Sequence, residues 1–188
     1  MESKQEDRRI RRSRRLLGDA LLRLLETHAL NTIKVRQVTD AADIGYMTFY
    51  RHYNNLDELL VDRVSSLIEE EIAQVVADCY GQAPVIFAHV GRYTPLYRTI
   101  LFSPEAARAR RMMEDALAGS YLPTTRGDAI IPAALRARTM ASAALTLIAW
   151  WLEQDRAVPV ERMVALYHQL VLDGHIDPDK LRALVALA

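Results

Sequence analysis

Five histidines, one cysteine and the carboxylates are the residues of this chain that could carry catalysis, and their spacing does not assemble it. His28, His52, His89, His168 and His175 form no HExxH pair, there is no glycine-rich phosphate loop and no GxSxG elbow, and Cys79 has no evident base beside it. The pattern argues against an enzyme and supplies no catalytic residue, no metal ligand set and no cofactor site. A single cysteine also excludes an intramolecular disulfide framework; its type suits a small hydrophobe on a buried helix face. Recognition chemistry is a better match to the stretch YMTFYRHY. Tyr46 to Tyr53 gathers four of the thirteen aromatic residues (two Trp, eight Tyr, three Phe), with an arginine and a histidine, into eight positions.

On a helix this cluster divides into two faces. Phe49 and Tyr53 are four apart and share one face, where with Val38, Ala42 and Ile44 they can lock the helix to the one before it. Tyr46 and Tyr50, also four apart, fall on another face beside Met47 and Thr48, with Arg51 and His52 at the far end. Phenol and threonine hydroxyls can bond phosphates or base edges, and methionine or aromatic carbons can meet thymine methyl groups. An α-helix about 10 to 12 Å across matches the width of the major groove of DNA.

The elements that must hold this face are helical. Leu16, Leu17, Ala20, Leu21, Leu24, Leu25 and His28 recur at helical spacing between Arg8 and Ala29. Val35, Val38, Ala41 and Ala42 predict a helix of about two turns, and Asp43-Ile44-Gly45 interrupts it before the aromatic stretch; aspartate tolerates a left-handed backbone and glycine can cap. Asn55 can cap a long helix from about Leu56 to Cys79, with Asp57 and Glu58 favourably placed in its first turn. Further helices are expected at about 83 to 92, 95 to 102 and 104 to 118, an irregular loop over Gly119 to Pro132, and two strong helices at about 133 to 156 and 159 to 173. Asp177-Pro178 can open a short terminal helix.

Net charge is zero and hydrophobic content is 51%, with no apolar run near the roughly 18 residues that span a bilayer. A soluble, cytoplasmic protein with no membrane partner is expected. Charge is unevenly placed: residues 1 to 54 carry eleven Lys/Arg against seven Asp/Glu, a local +4, and the remaining thirteen against seventeen give −4. Six of those eleven are Arg8, Arg9, Arg11, Arg12, Arg14 and Arg15, a basic patch suited to a polyanion.

With these residues in view, VRQVTDAADIGYMTFYRHYNNLDELL resembles the signature of the TetR family of bacterial transcriptional regulators over residues 10 to 62. The segment LTLIAWWLEQDRAVPVERMVALYHQLVLDG is similar to the last two helices of one TetR subgroup. The resemblance implies an all-α fold: a three-helix helix-turn-helix DNA-binding domain over 1–55, a helical dimerisation and ligand-binding domain over 56–174, and an extension over 175–188. DNA contacts carried over fall on Tyr46, Met47, Thr48, Tyr50 and His52, with Gly45 at the turn and Arg36 as a backbone contact. The chain departs from the family pattern at Lys34 (usually Thr or Ser), Asp43 (Gly), Gly45 (Ser) and Leu56 (Lys). The implied function is a regulator, normally a repressor, that binds a palindromic double-stranded operator. One recognition helix reads few base pairs, so a homodimer is expected, its seam formed by Ala141, Ala144, Ile148, Val160, Met163, Val164, Tyr167, Leu170 and Val171. The resemblance also implies a pocket for a small apolar or aromatic effector, with His89, Tyr93, Tyr97, Phe102, Met112, Met113, Trp150 and Gln154 as candidate lining. The alternative is a co-regulator of the same shape acting through protein contacts.

Overall fold

The computed structural model describes residues 2–68, 70, 83–123, 125 and 130–172, with side chains from residue 8 onward. Among these residues every regular element is a helix, so the all-α expectation holds. Cys79, Ile72, Val75, Val76, His175 and the segment 175–188 lie outside the described residues.

Helix α1 (Glu2–Leu25) turns Leu17, Ala20, Leu21 and Leu25 inward and its arginines outward. It starts earlier and stops sooner than the apolar stripe predicts. A 3-10 turn (Leu30–Thr32) leads to α2 (Val35–Ala42), which buries Val38, Thr39 and Ala42 against α1. Arg23 of α1 donates to the carbonyl of Ala41 at 2.9 Å, satisfying one of the end carbonyls that a helix leaves open. Asp43 then takes a left-handed conformation, φ 52°, and its N–H closes on Asp40 and Thr39. Helix α3 (Tyr46–Tyr50) follows after Gly45. It is shorter than the eight-residue aromatic stretch, because the Phe49 carbonyl accepts from both His52 and Tyr53 and the chain turns there.

Helix α4 (Leu56–Leu67) is capped as the sequence predicts: Asn55 Oδ1 accepts from the Glu58 N–H at 2.9 Å, and the Glu58 carboxylate accepts from the Asn54 N–H at 2.8 Å. Its buried residues, Leu59, Leu60, Val64 and Leu67, serve a helix packed on both α1 and the later helix Ala107–Tyr121. Gly18 is what lets α1 and α4 approach: a Cβ there would lie 2.6 Å from Arg63 Cδ. The space goes to the Arg63 stem, whose guanidinium pairs with Asp19 at 3.1 Å.

Beyond residue 82 come α5 (Ala83–Arg92), α6 (Thr94–Phe102, Pro95 in its first turn), a 3-10 turn (Pro104–Ala106), α7 (Ala107–Tyr121), α8 (Ala133–Glu153) and α9 (Val160–Tyr167), which widens into a π turn (His168–Leu172). Helix α7 runs three residues past the predicted 118 because Tyr121 is buried and its hydroxyl meets that of Tyr167 at 2.6 Å. Phe87 packs edge to face on both Trp151 and Tyr167. Among the described residues no helix is long and apolar enough to cross a membrane, and no group of three metal-ligating side chains occurs.

Candidate nucleic-acid interface

Helix α3 has the two faces its spacing predicts. Phe49 is fully buried and Tyr53 nearly so, their rings 5.6 Å apart, against the core that α1, α2 and α4 share. On the other side Tyr46, Met47 and Tyr50 are 48%, 71% and 45% exposed. Large side chains held this open on one turn of helix take no part in the chain's own core. The two phenols are also pre-ordered: their hydroxyls lie 3.2 Å apart and their rings meet edge to face at 5.2 Å. The Tyr46 hydrogen bond, helped by slight desolvation, raises the Tyr50 pKa above that of an ordinary tyrosine. Thr48 is half-buried, and its N–H bonds the Gly45 carbonyl at 2.8 Å.

Arg36 stands on the adjoining turn of α2, its side chain 84% exposed and held only by an i,i+4 ion pair to Asp40 at 3.9 Å. Arg36, Asp40 and Tyr46 line one surface depression, so the structure brings the expected backbone contact beside the recognition face. The substituted caps behave unequally. Lys34 has no acceptor to offer, so α2 keeps half of a capping box, in which Gln37 Oε1 accepts from the Lys34 N–H at 2.8 Å. Gly45 gives α3 no side-chain cap. Leu56, in place of the family's usual lysine, packs half-buried against the core.

The arginines of α1 do not act as a block. Arg8, Arg9, Arg11, Arg12 and Arg15 are exposed, as a phosphate-facing patch requires. Arg14 is engaged elsewhere: its guanidinium grips both carboxylate oxygens of Asp62 on α4, and Nε donates to the Tyr53 hydroxyl at 3.3 Å. Tyr53 in turn donates to Asp62 Oδ2 at 2.6 Å. Burial, then the bond to Asp62, pushes the Tyr53 pKa well above the normal phenol range, and Asp62 raises that of Arg14. Sequence reasoning missed Asp62 altogether. It is 48 residues from Arg14, and no local spacing could pair them. His52, half-buried at the edge of this cluster, is held below the usual histidine pKa by desolvation first and then by Arg14 and Arg51, with Asp62 opposing.

In the C-terminal half, His89 and Tyr97 are buried beside Tyr93, with ring centroids 4.8 Å (Tyr93) and 5.8 Å (Tyr97) from His89. Met113 is buried, and Met112 accepts a hydrogen bond at Sδ from Ser65 of α4 at 3.0 Å. Phe102, Trp150 and Gln154 face outward and do not join the aromatic group. The nine residues expected at the subunit seam divide into two sets, with Leu170 exposed and Val160 and Val164 half-buried. Ala141, Ala144, Ile148, Met163, Tyr167 and Val171 are buried within the single chain, packing α8 and α9 against its own helices. What these helices leave outward is Leu135, Trp150 and Leu170, with Val160 and Val164 half-buried.

This helical order recurs in solved regulators. A TetR transcriptional regulator from Streptococcus agalactiae superposes with a TM-score of 0.63 at 21% identity, covering 90% of this chain and 98% of that one. The chain has the TetR-regulator fold. Other solved neighbours are the dihydroxyacetone kinase operon activator DhaS (TM-score 0.64, 16% identity, 86% and 95% covered) and FadR of Thermus thermophilus, a TetR-family repressor solved with lauroyl-CoA (0.60, 18%, 87% and 95%). No family model and no curated protein matches the sequence.

Proposed function

We propose that this chain is a sequence-specific DNA-binding transcriptional regulator, a repressor that reads a palindromic operator as a homodimer through α3. One observation carries the reading: Tyr46, Met47 and Tyr50 project from a helix whose opposite side, Phe49 and Tyr53, is locked into the core. Tyr46, Met47 and Tyr50 meet base edges, Thr48 and His52 flank them, Gly45 lets the turn approach, and Arg36 with the exposed arginines of α1 neutralises phosphates. Two such helices must be related by a twofold axis. The outward apolar side chains of α8 and α9, Leu135, Trp150 and Leu170, support that pairing. The domain division follows: residues 1–55 read DNA, and 56–174 pair and take an effector.

A small apolar or aromatic effector is the second part of the proposal, supported by the cluster of His89, Tyr93 and Tyr97 and by the acyl-CoA bound to the Thermus neighbour. Such a ligand can act only by binding more tightly to a dimer whose recognition helices no longer match the half-sites.

Selection from random duplex DNA tests the first part. Enrichment of an inverted repeat with half-sites about 34 to 36 Å apart is expected. No enriched sequence at low salt, with the protein folded, contradicts it and favours the co-regulator.

A further inference from the structure

We infer that Arg14, Asp62 and Tyr53 form a latch that sets the orientation of the recognition helix, and that Arg14 is a positioning residue rather than a phosphate contact. The inference rests on the DNA-reading role proposed above.

The three side chains come from three elements. Arg14 is on α1, Tyr53 closes the turn after α3, and Asp62 is on α4. Each touches the other two: Arg14 Nε to Tyr53 at 3.3 Å and to Asp62 at 3.2 Å, and the Tyr53 hydroxyl to Asp62 at 2.6 Å. Helix α3 is only five residues long, too short to fix its own direction. Phe49 anchors it at one point; Tyr53, 5.6 Å away, is the second. Two points define a line, and the hydroxyl end of Tyr53 is the one held by ionic partners. A buried ring alone can slide or tilt, whereas a hydrogen bond to a charged group is directional and roughly twice as strong as a neutral one.

Charge separates the roles within the α1 cluster. Arg14 is only 45% exposed and both carboxylate oxygens of Asp62 face it, so its charge is largely neutralised before DNA arrives. Arg63, the next cation along α4, is likewise committed, to Asp19 at 3.1 Å and Glu70 at 3.5 Å. The latch therefore does not compete for phosphates. It also joins α4 to the reading head: Asp62 lies between the α7 contacts Asp57–Arg108 (3.7 Å) and Ser65–Met112 (3.0 Å), so a shift of α7 along α4 reaches Tyr53 through one carboxylate.

The test compares native protein with Tyr53→Phe, Asp62→Asn and Arg14→Gln on two probes: the inverted repeat that the native protein selects, and a scrambled duplex of equal length, each titrated across salt. Each variant is expected to lose about tenfold in affinity for the selected repeat, the worth of one charge-assisted hydrogen bond. Affinity for the scrambled duplex and the slope of log affinity against log salt should stay unchanged. Tyr53→Phe combined with Asp62→Asn should lose little more than either alone. A general loss of folded protein lowers both probes together, and the melting temperature of Tyr53→Phe, which keeps its ring, tells this apart. Three results overturn the inference: equal losses on both probes at a native melting temperature, a slope for Arg14→Gln reduced by about 0.9, which marks a phosphate contact, or native affinity in all three variants. A native protein that selects no sequence overturns the DNA-reading proposal itself, and the latch with it.

Discussion

Helices α3 and α8 are both dense in apolar residues, yet α3 leaves most of its large side chains outward while α8 turns its apolar stripe into the chain's own core. Phe49 of α3 and Tyr53 in the turn after it point inward, and Tyr46, Met47 and Tyr50 point outward, as their i,i+4 pairing predicts. In α8, Ala141, Ala144 and Ile148 were expected on the outer seam and are buried in the chain's own core. The difference lies in contrast. A five-residue helix has room for one anchoring face, and here the other face carries hydroxyls and a flexible thioether. Helix α8 spans 21 residues, and its apolar periodicity marks the buried side without saying whether the neighbour is the same chain or a second one.

The largest break in the comparison comes from the anchor. Phe49→Ala empties a fully buried site and should cost about 3–5 kcal/mol, read as a lower denaturation midpoint of the N-terminal helices. An unchanged midpoint would mean α3 is not held from behind.

The α8 half sharpens under a paired substitution. Ala144→Leu overpacks an intramolecular contact and should cost about 1–3 kcal/mol. Leu170→Glu, at a site 57% exposed, should leave chain stability within about 0.5 kcal/mol while shifting the mass in sedimentation equilibrium toward monomer. The opposite result, with Ala144→Leu dissociating a stable chain and Leu170→Glu leaving the mass unchanged, would move the seam to the Ala144 side of α8.

The reading head also has a pH signature. His52 is held below its unfolded pKa by desolvation, Arg14 and Arg51. The unfolded chain therefore binds a proton first, and stability falls as pH drops below about 6.5, the unfolded histidine value, toward the lowered folded one. His52→Gln should flatten that part of the stability–pH curve, and an identical curve in the variant would remove His52 as its source.

The smallest expected effect is at the α3 cap. A Cβ at Gly45 meets nothing nearer than Thr48 Oγ1 at 3.7 Å, and φ there is −58°. Gly45→Ser should fit and stabilise by about 0.5 kcal/mol, seen as a small rise in melting temperature. A fall would show that the turn needs glycine for some other reason.

Much of the fold was legible. Apolar stripes, Asn55 as a cap, Asp43 as a left-handed hinge and the break at Gly45 placed α1 to α4, because local propensity and local hydrogen bonds decide those boundaries. What escaped was non-local. Asp62 reads as one more surface acid on α4, and only the crossing of α1 over α4 brings Arg14 to it. Tyr121 extends α7 for the sake of a hydroxyl 46 positions away. Among the effector candidates, aromatic type alone did not separate the packed His89, Tyr93 and Tyr97 from the outward Phe102 and Trp150.

The outward face of α3 is the central claim, and Met47→Ala with Tyr50→Ala tests it most directly on the repeat selected by the native protein. Both side chains are exposed, so melting should stay within a degree or two while affinity for that repeat falls about tenfold or more, and sequence preference relaxes at the contacted positions. Native affinity and native preference in the double variant would contradict the account.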